Sequence, residues 1–141
     1  MTGESTDLAG FRVLRVGDAG PSGPPSGATV PGIEVAGTYW TRLRGMLFRS
    51  EPPAGLLFVP GGSVHGVGMT RRLDVAMLAP VDGSSDRVAG PFRVVKVAVL
   101  APFGLVGSRR GVRCVLEAPV GSFARWGLVE GSIVSFEARQ P

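Results

Sequence analysis

Several residue types are almost missing from this chain of 141 residues, and each scarcity excludes chemistry. Cys114 is the only cysteine, so no disulfide can form within the chain, which agrees with a reducing compartment. His65 is the only histidine, so acid–base work by an imidazole near neutral pH must use that residue. Lys96 is the only lysine among 15 basic residues, and there is one tyrosine. No apolar run approaches the ~18 residues that a membrane-spanning helix needs. Gly61-Gly62-Ser63 does not extend to a phosphate-binding GxxxxGK[ST] loop, and no GxSxG elbow is present. A zinc site needs three or four ligands at workable spacing. His65, Asp74, Cys114 and Glu117 would have to converge from distant stretches to supply them. No metal and no cofactor are expected.

What is present describes a folded domain. The hydrophobic fraction is 44%, enough for a real core in one domain of this length. The polar start, Met1 to Asp7, lacks the basic-then-apolar pattern of a signal peptide, so a cytoplasmic protein is expected. The net charge is +4, but the arginines are scattered, the tightest groups being Arg42/Arg44/Arg49, Arg71-Arg72 and Arg109-Arg110/Arg113. Without aromatic interleaving, nucleic-acid binding is not favoured. A basic surface that docks an acidic partner stays open as an alternative.

Residues 1–29 read as a flexible N-terminal segment. It carries an appended strand candidate, Phe11–Val16, and a Gly/Pro/Ser-rich loop from Gly17 to Gly27. Residues 30–141 read as a single globular β domain. Strand patterns cover Ile33–Ala36, Leu56–Val59, Val64–Met69, Val75–Leu78, Phe92–Leu100, Cys114–Glu117 and Ile133–Phe136. Thr38 suits the start of a short helix through Arg44, and Ser122 suits the cap of a second one through Trp126. Glu130-Gly131 reads as a tight turn. The fold expected is mainly β, a small barrel-like antiparallel sheet of about seven short strands with two short helices.

The polar residues inside apolar stretches are the site candidates. In an extended 64–69 segment, His65, Val67 and Met69 share one face, with Gly66 and Gly68 on the other. A core-rim histidine held by one hydrogen bond is preferred there to a catalytic one. Asp74 lies between Leu73 and Val75, and Glu117 lies in Val115-Leu116-Glu117-Ala118-Pro119. An acid so placed must be hydrogen-bonded, paired or at a rim. Asp74 could fix the His65 tautomer, but pairing with an arginine is the preferred role. Glu117 could pair with Arg44, Arg113 or His65, or act as a general base. Cys114 alternates with Val112 and Leu116 and reads as a small buried residue; a Cys114–His65 nucleophile pair is the less favoured alternative.

Together these stretches resemble the prokaryotic family called domain of unknown function 192. Its A-x-T-x-x-x-R-x-x-G-L-M pattern is matched by Ala36-Gly37-Thr38, Arg42 and Gly45-Met46-Leu47. Its E-G-L-L strand is matched by Ala54-Gly55-Leu56-Leu57, and H-T-F-G-M-R-F-P-I-D-V by His65, Gly68, Met69, Leu73, Asp74 and Val75. V-L-E-L-P-A-G corresponds to Val115–Gly121, and G-L-x-x-G-D to Gly127–Ser132, with Ser132 in place of the usual Asp. The rim Thr70-Arg71-Arg72 departs from the family's R-F-P. The resemblance implies a compact, mainly β, barrel-like domain and supplies no activity.

Three functions remain in view. The first is a non-enzymatic binding or accessory module in which Arg44, His65, Met69, Asp74 and Glu117 form a polar network or line a small pocket. The second is a small hydrolase or lyase using His65 with Asp74 or Glu117. The third is the basic docking surface, through Arg71-Arg72 and Arg109-Arg110.

Overall fold

A computed structural model of the chain describes residues 11–20, 27–36, 54–59, 64–65, 72–81, 88–101, 105–107 and 110–138. The elements in chain order are β1 (Phe11–Val16), β2 (Thr29–Ala36), β3 (Gly55–Phe58), β4 (Val64–His65), β5 (Leu73–Pro80), β6 (Phe92–Leu100), β7 (Leu105–Val106), β8 (Cys114–Pro119), α1 (Ser122–Trp126) and β9 (Ile133–Ala138). Seven strands close into a barrel in the order β1-β2-β3-β8-β5-β6-β9, while β4 and β7 form a separate two-stranded ladder. The stretch Phe11–Val16, read from sequence as an appendage, is a barrel strand bonded on both edges, to β2 and to β9. The sheet is not wholly antiparallel: β2 and β3 pair in parallel. Such a pair needs a long crossover, and residues 37–54 provide it. The expected helix from Thr38 to Arg44 falls in that connection, outside the described residues.

Period-two alternation sorts the side chains. Leu14, Ile33, Leu57, Ala76, Leu116 and Phe136 belong to the interior cluster, where the Phe92 and Phe136 rings tilt against each other at 6.0 Å. The intervening residues of β3, β5 and β8 (Leu56, Phe58, Val75, Met77, Val115) form a second buried cluster with Leu100 on the outer side of the sheet. Burial on both faces explains why these strands read as unbroken apolar runs. On the other side of the barrel β1 alternates between buried and exposed positions, and its outer face meets solvent.

A bulge shapes the seam. Met77 opposes Lys96 while Leu78 opposes Val94, so Val95 is the extra residue and β6 bends. Ladder pairing of β6 with β9 is confined to Phe92–Val134 and Arg93–Ile133. The turn before β9 continues the seam: Val94 N–H donates to the Ser132 carbonyl, Gly131 N–H to the Val94 carbonyl, and Val97 N–H to Glu130 Oε2 at 3.1 Å. Ser132 Oγ accepts the Val129 N–H at 3.0 Å and fixes the turn from within.

Gly55 sits where β2, β3 and β8 pack tightly. A Cβ there would stand 2.9 Å from the Glu117 carbonyl oxygen and 3.1 Å from Ile33 Cδ1. Since the nearer atom is backbone in the sheet, Gly55→Ala should destabilise the protein by about 1–3 kcal/mol in chemical denaturation, the usual cost of overpacking.

Candidate functional site

Asp74 comes from β5, opposite Val99 on β6 and Ala118 on β8. By alternation it shares the inner face with Ala76 and Leu78, at the end of the barrel. Its Oδ2 accepts the backbone N–H groups of Gly121 and Phe123, each at 3.0 Å. Gly121 is the N-cap of α1 and adopts φ 94°, which a glycine reaches without strain. It has no side chain to cap with, so the acceptor comes from a strand 47 residues away. This corrects two expectations. Ser122 does not cap the helix; its Oγ accepts a hydrogen bond from Arg125 Nη2 at 3.1 Å. Asp74 Oδ2 is occupied by main-chain donors where an arginine was expected. The carboxylate holds α1 across the barrel end, where Phe123 enters the interior cluster with Trp126 beside it at 5.7 Å.

Glu117 faces the other way. It lies on β8 opposite Leu56 and Val75, on the outer side with the second apolar cluster, and is 5% exposed. Asp74 and Glu117 are one register step apart, yet the sheet separates them, and the structure does not bring the two carboxylates together. Glu34, which the sequence reading passed over, stands on the same outer row: it opposes Leu56 on β2 and is 9% exposed. Two strand spacings place the Glu34 and Glu117 backbones about 10 Å apart. Neither acid is an isolated charge. The signal for Glu34 was the one used for the other acids, a carboxylate between apolar strand residues in Ile33-Glu34-Val35.

His65 is placed in β4, opposite Leu105 of β7. Arg44, Met69 and Arg71 lie outside the described residues, as does Arg109. Arg72, Arg93, Arg110 and Arg113 are exposed. Arg93 pairs with Ala79, and the Arg113 N–H donates to the Leu78 carbonyl one residue before it, so these two arginines flank Ala79 on the outer surface. Among the described residues no group of three His, Cys, Asp or Glu side chains could hold a metal ion, and no helix is long and apolar enough to cross a membrane. Cys114 points into the barrel. Burial pushes its thiol from 9.0 up to about 12, against the opposing pull of the Arg113 guanidinium. A thiol so protonated is a poor nucleophile.

The model of the family described as DUF192, Uncharacterized ACR, matches residues 24–136. No curated protein matches the chain. A crystal structure from Sinorhizobium meliloti 1021, described as a "putative transcription regulator", is 21% identical with a TM-score of 0.65, covering 91% of this chain and 95% of that one. A protein of unknown function from Novosphingobium aromaticivorans DSM 12444 is also 21% identical, with a TM-score of 0.61 and coverage of 89% and 84%. At this identity the likeness shows the fold.

Two predictions follow from the geometry. Asp74→Ala strips two N–H groups of their acceptor and should cost about 2–3 kcal/mol by urea denaturation, whereas Asp74→Asn keeps an acceptor oxygen and should lose about half as much. For Cys114, the unfolded thiol ionises more readily than the folded one. Above pH 9 the unfolded state therefore binds fewer protons, and this contribution to stability should fall between pH 9 and about 12. Cys114→Ala should flatten that part of the stability–pH curve relative to wild type, and native Cys114 should resist iodoacetamide at pH 8 until the protein is unfolded.

Proposed function

The chain belongs to the uncharacterised DUF192 family, and from that premise we propose that it is a non-enzymatic binding or accessory module. The observation that carries this reading is the commitment of Asp74 Oδ2 to the Gly121 and Phe123 N–H groups. A carboxylate engaged in holding a helix to a barrel is poorly placed to move protons for a substrate. Its separation from Glu117 argues against a mechanism that pairs these two carboxylates, and the protonated Cys114 thiol argues against covalent catalysis. In this reading Arg44, His65, Met69 and Glu117 form the polar network or line the pocket that binds, and Asp74 serves it by holding α1 in place.

Two alternatives have particular support. Glu117 is a buried acid under the second apolar cluster and suits a hydrolase or lyase that uses His65. Arg93 and Arg113, exposed on either side of Ala79, suit a basic surface for an acidic partner, and the description of the Sinorhizobium structure points in that direction.

One set of measurements separates the three. A thermal-shift screen of small polar metabolites should find a compound that raises the melting temperature of wild type and not of His65→Ala, since a ligand at 100 times its Kd adds about 2.7 kcal/mol. Ester, phosphoester and peptide probes should not turn over. Turnover lost in both His65→Ala and Glu117→Gln would instead establish the enzyme. Binding to polyglutamate or duplex DNA that weakens steeply with salt, and is lost in Arg93→Glu/Arg113→Glu, would establish the basic surface.

A further inference from the structure

The barrel is covered unequally. A second apolar cluster buries the outer side of β3, β8 and β5, whereas the outer side of β1 carries an open groove of about 680 Å³. Phe11, Val13, Pro31 and Ala138 give it apolar walls, and Phe11 is 44% exposed although it is a large aromatic residue. The volume is in the range of small-molecule sites, which are mostly apolar with a few fixed polar groups.

Among the described residues of the lining, the charged side chains are Arg12, Arg15 and Glu137. Arg12 is nine-tenths buried and already engaged, donating Nη1–H to the Phe136 carbonyl at 3.0 Å, so Arg15 is the cation open to a ligand. Arg15 Nε meets Glu137 Oε2 at 2.7 Å, but both side chains are more than half exposed, at 56% and 52%. Solvent-exposed pairs of this kind hold little energy. An incoming carboxylate can therefore replace Glu137 on Arg15 at small cost. A second groove of about 320 Å³ also has Arg15 and Thr29 in its lining, so the charged pair stands between the two grooves.

We infer that this groove binds a small amphipathic carboxylate, with its apolar body against Phe11, Val13 and Pro31 and its head on Arg15 in exchange for Glu137. His65 is not among the groove's described lining residues, and the site does not depend on the network proposed around it.

The test is calorimetric titration of the full chain with decanoate and with decanol as its uncharged counterpart. Decanoate should bind about threefold more tightly than decanol, the expected worth of one solvent-exposed charge pair. Glu137→Gln, which removes the competing carboxylate, should tighten decanoate binding severalfold, and Arg15→Gln should weaken it by about the same factor. Val13→Trp, which fills the groove from a half-buried position, should abolish binding with the melting temperature unchanged. His65→Ala should bind decanoate as wild type does, so failure here and failure of the His65 reading are distinguishable. Equal binding of decanoate and decanol would overturn the proposal. So would no binding of either, or decanoate binding indifferent to Val13→Trp and Arg15→Gln.

Discussion

Asp74 binds α1 to the barrel, and to do so it must face inward. Strand geometry then leaves no freedom at neighbouring positions. Ala76 and Leu78 join it inside, Val75 and Met77 go outside, and Glu117, opposite Val75, goes outside with them. A shift of one residue in the β5–β8 register would reverse all of these and send the carboxylate away from its two donors. The latch and the hydrophobic pattern thus enforce the same register. A buried acid that serves structure in this way also fixes which other acids remain open to chemistry.

The same alternation divides the barrel into unlike halves. On β3, β5 and β8 both faces are buried, so a large fraction of the apolar surface is removed from water by three short strands. Each fully buried Leu or Phe contributes on the order of 2 kcal/mol there. The β1–β9 side has one solvated face, where Arg15 and Glu137 form an exposed ion pair. Burial on both faces is concentrated in the first half, and solvent-exposed sheet in the second.

Much of this was legible in the sequence. The family pattern and the strand runs pointed to a small β barrel, and the strand Phe92–Leu100 has the same limits in the structure. Ser122–Trp126 is the expected short helix. What was not legible depended on long-range pairing. Phe11–Val16 was read as an appendage because the Gly/Pro-rich loop after it has no core-forming residues, yet its partners lie at both ends of the chain. The parallel β2–β3 pair carries no local signature. The two-residue strands β4 and β7 are too short for periodicity to show, and the expected strand Val64–Met69 is described only at Val64–His65. At the candidate site, burial of Asp74 and Glu117 followed from their apolar neighbours, while their opposite faces required the register. The capping role of Asp74 could not be read from Gly121, which offers a positive φ and no side chain.

Barrel closure through β1 and β9 has a consequence for how the molecule is made. Arg12 pairs with Ala138 and Val16 with Val134, so the earliest described strand waits for the last. During synthesis β1 can pair with β2 early, but its other edge has no partner until β9 has left the ribosome. Until then the nascent sheet has an open flank, the kind of edge that recruits other strands. Closure of that flank is therefore a late event, set by chain length more than by local preference.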